Sequence, residues 1–343
     1  MIDFSCDYNV GTAPQIMQAL NEINNDHVTT YGWDKYSDSA KARIRKEVDN
    51  PDAEVWFMVG GTQCNQIALS FMVKQDEGII AATTGHISVH ESGAVEMTGH
   101  KVIEVKGHSD GRIDITAMKK WLETFYADSS YEHMVTPGAV YITHPTEYGG
   151  LYSSGELKKI RAICDKYNMK LYLDGARLAY GLASDGSDVT LKDLGKYCDA
   201  FYIGGTKCGA LMGDALVFKK PQERFFTHRK RFGGLLAKGW LLGIQFDTMF
   251  TDGLYYKLGK NGIKQAMKIK KKLQETGYEF YTESQSNQQF VLVDDKRLEF
   301  LKRHMNTDCW GKYKGKNIVR ICTSWRTTDK EVKELLKIMT SPV

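Results

Sequence analysis

Between Glu54 and Phe218 short apolar runs alternate with stretches of helical period. Strands are expected at Glu54–Val59, Gly78–Ala82, Lys101–Val105, Ala139–Thr143, Lys170–Leu173, Ala200–Ile203 and the ALVF run at 215–218. Helices are expected after Pro14, with Ile16, Ala19, Leu20 and Ile23 on one face, and at Ser39–Val48, Ile67–Val73, Ile115–Phe125 and Ser154–Tyr167. In the Ile115–Phe125 segment the stripe Met118, Trp121, Leu122, Phe125 reads as core. Such alternation implies a mostly parallel sheet with helices on both faces. From Asp252 the rhythm changes to a helix at Ile263–Leu273, a strand at Gln289–Val293, a helix at Arg297–His304, a strand at Asn317–Cys322 and a last helix after Asp329. The pattern divides the chain into an N-terminal segment (1–20), a large domain (21–250) and a small C-terminal α/β domain (251–343).

Composition narrows the partners. The chain has 343 residues, 42% hydrophobic and 26% charged, and a net charge of +4, which gives no reason to expect nucleic acid. Lys264, Lys268, Lys270, Lys271 and Lys272 lack interleaved aromatics and read as a solvated helix face, as do the basic residues of FFTHRKRF. No apolar run reaches the ~20 residues of a membrane span. MIDFSCDYN has neither a basic nor an apolar leader region, so no secretory signal is expected. Seven cysteines without a CxxC pair or His/Cys ligand spacing point to reduced thiols in the cytoplasm and to no metal.

The chemistry gathers at strand ends. The Lys170–Leu173 strand delivers Asp174, followed by Gly-Ala-Arg, and the Ala200–Ile203 strand runs into Gly-Gly-Thr and Lys207. Ligands in open α/β sheets bind outside the carboxyl ends of strands. An acid and a lysine placed there suit pyridoxal phosphate, which needs a lysine amine for its aldehyde and a carboxylate to keep its ring nitrogen protonated. A plain strand-end salt bridge is the alternative, and the glycines around Lys207 weigh against it because they cost order and let a flat ligand approach. GGTQ at 60–63 precedes an apolar helix; Gly61, Thr62 and Gln63 offer a phosphate site, with a simple cap at Thr62 as the alternative. His86 also falls at a strand end, although a lone histidine is more often structural.

DGAR followed by GGTK resembles the fold-type I pyridoxal-phosphate enzymes of the threonine aldolase and β-eliminating lyase group, an aspartate-aminotransferase-like fold. GGTKxG resembles a phenylserine-aldolase-like branch, where better-known threonine aldolases have SKG. The likeness runs from SCDYN near residue 5 to VRICTSW near residue 325. It implies that Lys207 carries the cofactor and Asp174 faces its ring nitrogen. In HISVHESGA, His86 would stack on the ring, with His90 and Glu91 nearby. Arg177 and Arg320, with Ser5, would hold the substrate carboxylate, and Arg177 would also border the cofactor. His133 would lie near the substrate hydroxyl, sharing with His86 the candidacy for base, and Lys238 would reach the cofactor phosphate. Tyr31 and Asp34 would belong to a loop approaching the site across a subunit boundary, in a homo-oligomer of two or four chains. THPTEYGG opens a further strand-end site with Glu147.

The activity implied is aldol cleavage of an L-β-hydroxy-α-amino acid, threonine or allo-threonine by default, to glycine and an aldehyde. β-Elimination or transamination on the same site is the nearer alternative, and a catalytically silent binding subunit the remoter one. Two departures from the commoner pattern stand out. GGTQCN replaces SGTxxN, and SCDYNVGTAP is longer before its proline than an SDTVT-type segment.

Overall fold

The apolar runs pair largely as their pattern requires in the computed structural model, which describes residues 1–342. In chain order the strands are β1 (Ile2–Asp3), β2 (Glu54–Met58), β3 (Glu77–Ala82), β4 (Val102–Val105), β5 (Thr136–Thr143), β6 (Lys170–Asp174) and β7 (Ala200–Gly204). There follow β8 (Asp214–Phe218), β9 (Glu279–Phe280), β10 (Gln288–Val293), β11 (Met305–Asn306), β12 (Asp308–Tyr313) and β13 (Lys316–Cys322). The large sheet has the order β2-β8-β7-β6-β5-β3-β4. Only β8 runs against its neighbours, so Asp214, at its amino end, lies beside the carboxyl ends of the other strands. β6, β7 and β8 are almost continuously buried, as expected of strands covered by helices on both faces. One core lies on each face, with Leu171, Leu173 and Ile203 on one side and Ile79, Tyr141 and Tyr172 on the other.

Three helices near the N-terminus bear on the site. Helix α1 (Pro14–Ile23) has proline in its first turn and buries Ile16 and Ile23. Helix α2 (Lys35–Glu47) starts before the expected Ser39 because Asp34 caps it, accepting from the amides of Tyr36 and Ser37 at 3.1 and 2.8 Å. Helix α3 (Gly61–Met72) starts six residues before Ile67, directly at the glycine pair. The helix Leu254–Glu275 is twice as long as its apolar stripe suggested. It anchors Tyr255 in the large core and Ile269 and Leu273 in the small one.

The small domain carries an antiparallel sheet, β12-β13-β10-β9. The first residues belong with it: β1 pairs with β11, and Phe4 is buried in its core, whereas Ile16 joins the large core. β12 was not legible in DCWGKY because it is a largely exposed edge strand without apolar alternation. None of the seven cysteines is paired with another. Among the described residues no helix is long and apolar enough to cross a membrane.

Candidate active site

Asp174 ends β6 almost fully buried, and its carboxylate accepts from four donors. The Asn65 amide donates to Oδ2 at 2.9 Å, the Tyr141 hydroxyl to Oδ2 at 2.7 Å, the Tyr202 hydroxyl to Oδ1 at 2.5 Å and the Ala176 amide to Oδ1 at 3.0 Å. Burial pushes its pKa up, but the charge of His86 and these donors outweigh it and hold the pKa below the usual carboxylate value. His86 begins a single helical turn after β3, and its Nδ1 lies 2.7 Å from Glu91 Oε1, which also accepts from Asn65 at 2.7 Å. Burial alone would lower the His86 pKa; the bond to Glu91 and the Asp174 charge raise it overall. His86, Glu91 and Asp174 each bring an atom within 4.8 Å of the others, a spacing that would also suit a cation. The neutral Asn65 amide donates its N–H groups to both carboxylates, filling the space between them, and disfavours that use.

Lys207 lies in the loop between β7 and β8, facing Asp174 across a cavity of about 280 Å³. Burial and the Arg177 charge lower its pKa, against the pull of Asp7, Asp174 and Asp214. Gly60, Gly61 and Thr62 line the same cavity. Gly60 gives α3 no side-chain cap, and the first helical bond is closed only by Cys64, leaving the amides of Gly61, Thr62 and Gln63 without backbone partners. A Cβ on Gly61 would come 2.5 Å from the Tyr202 hydroxyl, so the approach needs glycine. The helix end carrying the open amides of Gly61 and Thr62, an ionised carboxylate and a lysine line one cavity, with the Gln63 amide next in the chain. That is the donor set a phosphorylated pyridine aldehyde requires, and the residues fit pyridoxal phosphate.

An outer cavity of about 590 Å³ shares His86, Glu147, Arg177 and Lys207 with the inner one. Arg177 is paired with Asp7, Nε to Oδ2 at 2.7 Å and one terminal nitrogen to Oδ1 at 3.0 Å, and Asn287 also donates to Asp7 at 2.9 Å. Arg320, on β13, donates to the Ser5 carbonyl at 2.7 Å, to Gln288 at 3.1 Å and to Asp308 at 3.0 Å. The Trp310 ring covers its guanidinium at 4.7 Å and donates to Asp308 at 2.8 Å. Arg320 therefore already holds a carboxylate of its own chain. Glu147 is buried between the cavities, accepting from the His86 amide at 3.1 Å and Thr143 at 2.9 Å; burial raises its pKa, and its second oxygen is unpartnered.

Several expected residues lie elsewhere. His133 is exposed before β5, at the end of the sheet remote from the site, roughly 25 Å away along an eight-residue strand. His144, next to Thr143, is buried and pushed down to about 4, and its ring packs towards Gly181 and Tyr152. The Ser5 hydroxyl is bound to Asp3 at 2.6 Å, so Ser5 serves Arg320 through its carbonyl instead. Asp34 is a helix cap. Tyr31 and Lys238 line neither cavity of their own chain. The Tyr31 amide bonds the Ala237 carbonyl at 2.9 Å, bringing Tyr31 beside exposed Lys238, and Lys230 sits 5.0 Å over the Tyr31 ring. Arg229, read as solvated, is buried over Trp56 at 4.7 Å, and burial lowers it to about 10. Sequence reasoning missed Asn65, Tyr141, Tyr202, Asp7, Asp214 and Asp308. Tyr202 was findable, two residues before the glycine pair that carries Lys207.

Comparison with known proteins places the chain in a family. The family model described as beta-eliminating lyase matches residues 3–296. The low specificity L-threonine aldolase of Pseudomonas sp. (strain NCIMB 10558) is 27% identical over 97% of this chain and 95% of its own. Its Pseudomonas aeruginosa counterpart is 26% identical over 97% and 96%. The structure of Leishmania major threonine aldolase superposes with a TM-score of 0.95 at 37% identity, covering 99% of this chain and 98% of that one. Histidinol-phosphate aminotransferase of Clostridium acetobutylicum, 13% identical with a TM-score of 0.76, shares the fold. Matched over most of its length, this chain belongs to the beta-eliminating lyase family.

Proposed function

We propose that the chain is a pyridoxal-phosphate enzyme that cleaves the Cα–Cβ bond of an L-β-hydroxy-α-amino acid, threonine or allo-threonine by default, to glycine and an aldehyde. One observation carries the reading: the carboxylate of Asp174, held ionised by four donors, faces Lys207 across the cavity that contains the open α3 amides. When bound, the cofactor supplies an electron sink for the electron pair of the broken bond. The rest falls to the chain. The α3 amides bind the phosphate, and Asp174 holds a proton on the ring nitrogen. The burial that lowers the pKa of Lys207 favours the neutral amine that covalent attachment requires.

Arg320 and the free terminal nitrogen of Arg177 converge on the outer cavity and bind the substrate carboxylate, which fixes the orientation of the Cα bonds. His86 takes the proton of the β-hydroxyl. Its Nδ1 faces Glu91, which leaves the Nε2 lone pair open as base. The same constellation supports elimination and transamination; the full-length likeness to threonine aldolases selects carbon–carbon cleavage. The test is product analysis on L-threonine, L-allo-threonine and phenylserine. Glycine and aldehyde in equal amounts are expected. A keto acid with ammonia would mean elimination, a pyridoxamine form transamination, and no product from any substrate a silent subunit.

The chain's assembly and compartment extend this reading. Tyr31, Trp33, Phe226 and Lys238 form an exposed group away from their own cavity, which supports a homo-oligomer in which this face reaches a partner's site. Two variants, Lys207→Ala and Tyr31→Ala, each inactive alone, should regain activity when mixed. No recovery despite subunit exchange would remove Tyr31 from the partner's site. Seven unpaired thiols suit a reducing cytoplasm.

A further inference from the structure

We propose that Asp214 serves the cofactor site as a carboxylic acid, donating a hydrogen bond from its retained O–H to the bound phosphate instead of standing beside it as an anion. The proposal rests on the pyridoxal-phosphate reading above.

Topology places the group. Because β8 alone is antiparallel, its first residue opens into the site where its neighbours end. Asp214 is in register with Met58 on one side and Gly204 on the other. Met58 leads into Val59-Gly60-Gly61-Thr62, the anion cup, and Gly204 leads into the Lys207 loop. The carboxyl lines the same cavity as the cup and accepts from the Gly205 amide at 3.1 Å. Asp214 is 3% exposed, and no lysine or arginine among the described residues forms an ion pair with it.

Its surroundings decide its charge. Lys207 attracts it from the loop and Asp174 repels it from β6. Cys64 on α3, Tyr172 on β6, Tyr202 on β7 and Tyr255 on the long helix complete the titratable groups that sense it, and all of these are pushed up by burial and so neutral. Burial raises Asp214 to about 7, against the Gly205 and Thr206 amides and Lys207. A phosphate in the cup adds negative charge beside a second carboxylate, and neighbouring like charges do not both ionise cheaply. A protonated carboxyl removes the repulsion and adds an O–H donor to a phosphate oxygen.

The consequence is linkage: above a pH of about 7, phosphate binding takes up one proton, so affinity falls with rising pH. Asn keeps a donor and abolishes the titration. The probe is pyridoxamine 5′-phosphate, which has no aldehyde for Lys207, titrated against the full chain across neutral to alkaline pH. The dissociation constant of the wild type should rise relative to Asp214→Asn by up to about tenfold per pH unit above about 7. Parallel curves would overturn the proposal while leaving the cofactor reading intact; failure of both proteins to bind the probe would sink that reading and the proposal with it. If Asp214→Asn does not fold, calorimetry of the wild type in two buffers of different ionisation enthalpy decides. Uptake of about one proton per probe at about pH 8 supports the proposal, and no uptake overturns it.

Discussion

The two walls of the site are built on opposite principles. On the large-domain wall Asp174, Asn65, Tyr141, Tyr202, Glu91 and His86 form one connected network, with Asp174 and Glu91 buried and Nδ1 of His86 spent on Glu91. Preorganised donors of this kind need no rearrangement when charge develops. On the small-domain wall Arg320 is tied to Asp308, whose side chain is 45% exposed, on an edge strand with a register shift between Cys309 and Lys312. In the proposed function the cofactor wall is thus finished in the fold, whereas substrate recognition would start from an arginine already occupied by a carboxylate that substrate would have to displace.

Changes on the finished wall should cost most. Asp174→Ala is expected to lower kcat by about a hundredfold or more while cofactor remains bound through the α3 amides, a loss of about 3 kcal/mol of barrier lowering. Single-turnover kinetics on the reconstituted variant check this, and near-normal kcat would remove Asp174 from the ring nitrogen. Arg320→Lys loses the planar fork. KM for threonine should rise by about tenfold or more and kcat should fall as orientation loosens. An unchanged KM would shift the carboxylate site to Arg177. A third change tests His86. As a base it acts unprotonated, so kcat/KM should fall as pH drops through a pKa that lies above the ordinary imidazole value. Glu91→Gln removes the carboxylate whose charge and charged hydrogen bond raise that pKa, and the acid limb should move to lower pH. A limb that stays in place would favour Glu147 as the base.

The same contrast explains what could be read from the chain itself. The parallel sheet, Asp174, Lys207, the glycine cup and His86 follow from strand runs ending in glycine and polar residues, because periodicity and strand ends are local signals. The Asp7–Arg177 and Asp308–Arg320 pairs join residues 170 and 12 positions apart. Neither pair has a local signature, and β12 lacks the alternation that would mark it as a strand. Asp214 was hidden because nothing in its neighbourhood reveals that β8 runs antiparallel. His133 was misplaced for a related reason: it precedes β5, one of the parallel strands, whose amino ends lie away from the site. Tyr31 and Lys238 carry no signal of a partner's site beyond their exposure.

The smallest expected effect tests the contrast most directly. Titrating glycine, the product that retains the carboxylate, against wild-type and Asp308→Asn holoenzyme can be followed by the visible absorption of the bound cofactor. If Asp308 competes for Arg320, the variant should bind glycine about two- to fivefold more tightly, the worth of a half-exposed ion pair. Cofactor affinity should stay unchanged. Glycine binding that is unchanged or weaker in Asp308→Asn would contradict the picture of a self-occupied substrate wall and make Asp308 a support for Arg320 instead.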